Sequence, residues 1–128
     1  MKDATVLPDR NADSVTSDGA TKDGRGALED YLSLKYITRN NSRSISRGLE
    51  YPQNDFSIWT IAKGLAKAES EQDELLERSS WWKNQWNVDA NRTLEGVGDF
   101  IGFPAPRNAD GTWNTTNYDP AQCLPSCG

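Results

Sequence analysis

Two arginines, a glutamate and an aspartate fall within SRSISRGLEYPQNDFSIWTIAKGLAK, residues 42–67: Arg43, Arg47, Glu50 and Asp55. Carboxylates can move a proton in hydrolysis, pair with arginine inside a fold, or stand solvated on a helix face. Arg47 and Glu50, three residues apart, suit a weak surface pair. At about 100° per residue, however, Arg47, Asn54, Ile58, Ile61 and Leu65 share one helical face, with Glu50 and Asp55 at its edges. Polar groups on that stripe must be paired or line a cavity, because burying them unpaired is too costly. Spacing leaves both readings open. The neighbouring arginines argue against a proton-donating role for either carboxylate.

Other chemistry-bearing residues are sparse. The chain has no histidine, which removes the commonest metal ligand and acid/base group. Its two cysteines, Cys123 and Cys127, make at most half a zinc site; a disulfide within the pair or to other cysteines suits them better. Five tryptophans are unevenly placed, with Trp81, Trp82 and Trp86 clustered. Such rings serve as core or as a platform for sugar faces, and core is the commoner use. Three sequons, at Asn40, Asn91 and Asn114, are acceptors for N-glycosylation in a secreted protein.

The elements that must position these residues follow from pattern. Residues 1–24 are polar and aperiodic, as in a flexible arm or loop. Leu28, Tyr31, Leu32 and Lys35 predict a first helix of about three turns. Ser46 suits an N-cap for a second helix fraying near Lys67, with a kink or a late start at Pro52. Ser70 and Asp73 resemble a capping box opening a third helix through Trp86. The short link between the last two predicts an antiparallel αα-hairpin. Beyond Asn87, FIGFPAPRNADGTW carries an Asp-Gly turn signal for a β-hairpin or ordered loop.

Composition limits the rest. A chain of 128 residues, 35% hydrophobic, fits one modest domain. Its formal charge of −5 disfavours a nucleic-acid partner. No apolar run is long enough to span a membrane, and MKDATVLPDRNADS has no apolar leader region.

Three segments in register carry a resemblance: Asp30-Tyr31-Leu32 through Tyr36-Ile37, Ser46-Arg47-Gly48-Leu49-Glu50-Tyr51 with Asp55-Phe56, and Arg78-Ser79 with Trp82-Lys83-Asn84 and Trp86. The turn Arg107 through Trp113, ahead of Asp119-Pro120, adds a fourth. Together, over residues 22–128, they resemble the middle of a glycoside hydrolase family 92 α-mannosidase, with a cysteine-bearing tail like that of fungal members. Lys35 stands where the family usually has Gly, Gly48 where it has Thr, and Trp81 where it has Asn; Pro52 directly follows the Leu-Glu-Tyr motif.

The resemblance implies a mainly α fold: residues 25–128 as part of an (α/α)₆ toroid, with a β-hairpin or irregular C-terminal segment. It implies calcium-dependent, exo-acting, inverting hydrolysis of α-mannosides by the intact, secreted enzyme. The family's acid, base and calcium motifs do not occur in this chain. The chain is therefore expected to lack catalytic and metal residues and to be inactive alone, with Arg47, Glu50, Asp55 and Trp113 as pocket-lining or supporting residues. The rival reading is a non-enzymatic carbohydrate-binding or protein-interaction module built on the clustered tryptophans. Without neighbouring helices, exposed apolar faces would leave the fold marginal and prone to self-association.

Overall fold

A computed structural model describes residues 24–121. The expected N-terminal arm, apart from Gly24, and the cysteine pair lie outside the described residues. Three helices come first: α1 (Leu28–Leu34), α2 (Ser44–Gly64) and α3 (Glu69–Ser79). A 3-10 turn (Trp81–Gln85) leads into β1 (Trp86–Leu94) and β2 (Gly98–Pro104), an antiparallel two-stranded sheet. The described chain is mainly helical.

α1 has about two turns rather than three. It stops at Lys35, which adopts a left-handed conformation (φ 64°) and returns its N–H to the Tyr31 carbonyl. Glycine takes that conformation most cheaply. Asp30 then gathers the following loop, accepting hydrogen bonds from the Thr38 N–H and the Asn41 amide.

α2 begins at Ser44, with Arg43 rather than Ser46 as its cap, and carries Pro52 in its interior instead of starting there. Pro52 is fully buried and lacks the N–H that would reach the Gly48 carbonyl. Packing, not local propensity, holds this stretch helical. α2 and α3 form the expected αα-hairpin: Asp55 and Arg78, equally distant from the connecting link, are joined by an ion pair, as antiparallel packing requires.

α3 ends at Ser79, and Trp82 and Trp86 are not part of it. The Ser79 and Ser80 hydroxyls bond back to the Leu76 and Glu77 carbonyls, competing with the helical ladder where the chain turns away. The main hairpin also differs from expectation. β1 pairs with β2 across a turn at residues 95–97; Gly96 in that turn and Gly98, the first residue of β2, adopt positive φ. The Asp110-Gly111 signal closes a smaller loop, held by a single Arg107–Trp113 bridge.

The core is small and aromatic: Ala27, Leu28, Tyr31, Ile37, Tyr51 and Trp81. Tyr31 meets Tyr51 and Trp81 edge-on at 5.5 and 5.1 Å between ring centres. This core sits beside the first half of α2. The predicted inward stripe is therefore displaced: Arg47, Tyr51, Asp55 and Ala62 are buried, Asn54 is exposed, and Ile61 and Leu65 are 60% and 65% exposed. Among the described residues α2 packs chiefly against α3, and the far side of its second half stays open.

Gln85 ties the halves together. Its buried amide donates to the Ala105 carbonyl, and its oxygen accepts from the Ile37 N–H. A Cβ at Gly48 would lie 2.7 Å from that oxygen. Gly48→Ala should lower stability by about 1–3 kcal/mol, because the enclosed amide has nowhere to move. Gly64→Ala, where a Cβ meets open space, should be neutral or stabilising. Urea denaturation of the two variants checks both.

Candidate functional site

The most distinctive feature is a buried ion centre built from four segments. Asp55 of α2 is fully buried. Arg25, just ahead of α1, approaches its Oδ1 at 2.7 Å, and Arg78 Nε of α3 reaches Oδ2 at 3.1 Å. The Tyr31 hydroxyl of α1 donates to Oδ2 at 2.8 Å. Arg78 also meets Glu74, one helical turn earlier, at 3.4 Å. The Arg25–Asp55 contact is an ion pair without an aligned hydrogen bond, and Arg25 Nη1 finds no hydrogen-bond acceptor among the described residues. Its guanidinium instead lies over the Tyr51 ring, 4.9 Å from the centre.

Burial, and then the Asp55 carboxylate, push the Tyr31 phenol far above its ordinary value of 10.0. Burial also raises Tyr51, whose hydroxyl donates to the Gly26 carbonyl, though Arg47 and Arg25 oppose the shift. Groups with raised folded values contribute stability that is complete below pH 10 and lost as pH climbs above it. There the unfolded chain ionises and the fold does not. In an alkaline titration followed by phenolate absorbance, Tyr31 and Tyr51 should ionise only together with loss of structure. Early titration of all four tyrosines in a folded protein would contradict this.

The candidate residues divide sharply. Asp55 is central to this network. Arg47 is buried and donates to the Ser42 carbonyl at 3.1 Å, closing the entry to α2. Glu50 is exposed and takes no part in that network. Trp113 belongs to a second cluster, in which the Arg107 guanidinium lies between it and Tyr36, 4.9 and 4.6 Å from the ring centres. Arg107 Nε and Nη1 donate to the Gly111 and Asn84 carbonyls, and Tyr36 donates to Asn108. The fourth family-like motif is thus a locked turn. Spacing could not point to Arg25 or Tyr36; for Arg78, the Glu74–Arg78 interval was the one local signal.

The tryptophans do not form a flat platform. Trp81 is core, and Trp82 meets Trp86 edge-on, with planes 86° apart. An open groove of about 450 Å³ lies on the β-hairpin. Asp99 there accepts from Thr93 Oγ1, and Arg92 pairs with Asp119. Among the described residues no three His, Cys, Asp or Glu side chains could hold a metal ion. Calcium takes six to eight oxygens, and the oxygens of Asp55 face guanidinium and phenol. Asp55 and the groups around it do not fit a calcium site.

The ion centre joins α2 and α3 to the segment ahead of α1, and its carboxylate, Asp55, is fully buried and does not face an open cleft. Comparison with known proteins places that scaffold. Residues 1–124 match the family described as the glycosyl hydrolase family 92 catalytic domain. The chain belongs to that family. It is also 35% identical over 111 residues to an "Uncharacterized secreted glycosidase" of Arthroderma benhamiae, a match covering 79% of this chain and 14% of the relative. The chain thus spans a small part of that relative's length. No helix among the described residues is long and apolar enough to cross a membrane.

Proposed function

We propose that this chain is a section of an α-mannoside-hydrolysing catalytic domain, in which it builds wall and supplies no acid or base. The observation that carries the reading is the enclosure of Asp55, the one fully buried carboxylate among the described residues, by Arg25, Arg78 and Tyr31. Inverting hydrolysis needs one carboxyl group that reaches the leaving oxygen and another that reaches a water. Asp55 has no face open to either. The substrate class, a terminal α-mannoside, rests on the family-like motifs; in this reading the acid, the base and any calcium site fall to other parts of the complete domain.

The exposed apolar residues fit the same picture. Phe56, Ile61, Leu65 and Leu76 project from the outer sides of α2 and α3, where neighbouring helices of an (α/α)₆ toroid would cover them. In isolation these sides would support self-association. We extend secretion to this chain from its glycosidase relative.

The test is a chimera in which this chain replaces the matching section of the Arthroderma benhamiae glycosidase. A folded chimera should release mannose from α-mannobiose. Release of other sugars from their α-glycosides, with none from α-mannobiose, would contradict the substrate assignment.

A further inference from the structure

The three sequons occupy different environments, and the geometry points to Asn40 as an N-glycan acceptor and to Asn114 as a sequon that must stay bare in the folded protein. The inference rests on the secretory reading above, since the modification needs that compartment.

Asn40 lies in the turn between α1 and α2, closed by the Asn41 N–H bonding to the Thr38 carbonyl. Its side chain is exposed and has no hydrogen-bond partner among the described residues. The turn itself is anchored from below, through Asp30 to Thr38 and Asn41, so nothing in the fold depends on the Asn40 amide. Ser42, the hydroxyl residue of the sequon, is exposed as well.

Asn114 is the opposite case. It is half-buried, and its Nδ2 donates to Asn108 Oδ1 at 3.0 Å. Its backbone N–H bonds the Pro106 carbonyl, and its own carbonyl accepts from Arg39. Asn108 in turn holds Thr112 and accepts from Asn114 inside the Arg107–Trp113 turn. A sugar on Nδ2 would replace one amide hydrogen and drive a pyranose ring into this lock. Asn91, exposed on β1, has room for a glycan and is not part of the contrast.

The donor is a polyprenyl diphosphate-linked oligosaccharide. Asn40 Nδ2 forms a bond to the reducing-end C1 and loses a proton to the transferase. The C1–oxygen bond to the diphosphate breaks, and the polyprenyl diphosphate leaves with the electron pair.

The full chain is directed into the secretory pathway of a yeast by an added leader. Supplying the leader separates failure of the modification from failure of the native-secretion proposal. Enzymatic deglycosylation in heavy-oxygen water marks each formerly glycosylated asparagine as labelled aspartate. We expect the mark at Asn40 in secreted and cell-retained chain, lost in Asn40→Gln, and no mark at Asn114 in secreted chain. A mark at Asn114 confined to retained, misfolded chain also supports the inference. An unmarked Asn40, or a marked Asn114 in chain with native near-UV circular dichroism, overturns it.

Discussion

Asp55→Ala should cost about 3–5 kcal/mol, the penalty for leaving buried charge without its partner. The substitution leaves Arg25 and Arg78, 4% and 3% exposed, facing each other with the anion between them gone. It also leaves the Tyr31 hydroxyl with only the more distant Arg78 carbonyl, at 3.4 Å, as acceptor. A domain of this size has a total stability of about 5–15 kcal/mol, and the small aromatic core puts this one toward the low end. The variant should therefore lose its cooperative urea transition. Glu50→Ala, at an exposed position three residues beyond Arg47, should change stability by less than about 0.5 kcal/mol. Equal effects at the two positions would mean that the ion centre is not what holds α2 to its neighbours.

Tyr31→Ala should be comparably severe, at about 3–5 kcal/mol. Tyr31 is fully buried and joins the aromatic core to the ion centre: Tyr51 and Trp81 meet it edge-on, Arg25 and Arg78 lie over its ring, and Asp55 accepts from its hydroxyl. Removing the ring leaves a cavity that those rigid neighbours cannot close. Tyr31→Phe separates ring from hydroxyl. It keeps the packing and removes one donor to a charged acceptor, which should cost about 1.5–3 kcal/mol. The ordering Ala worse than Phe, measured by thermal or urea unfolding, is the expected result; a Phe variant as stable as the parent would show that the hydroxyl contributes nothing to the ion centre.

The sequence made the αα-hairpin legible because its period survives in the chain, but it placed Glu50 and Asp55 alike at the edges of an inward stripe, and only Asp55 is buried. It could not supply the partners. Arg25 and Arg78 lie 30 residues before and 23 after Asp55, and nothing in spacing links groups that far apart. The inward stripe was displaced because Ile61 and Leu65 are apolar yet exposed. Apolar character marks what can be buried, and no described neighbour covers these two. Trp86 was assigned to a helix because it falls in step with Leu75 and Trp82, but the back-bonded serines end α3 before that step is reached. Trp113 was legible as important, and its use as one side of the Arg107 stack emerges only once Tyr36 is brought across.

In the proposed reading, this section of a family 92 catalytic domain is held by Asp55 and does no chemistry with it. Hydrolysis of α-mannobiose by the isolated chain, with calcium supplied and folding verified by near-UV circular dichroism, tests it most directly. No mannose release above the rate without protein is expected. Turnover by the folded chain that disappears in Asp55→Asn while the fold persists would contradict it.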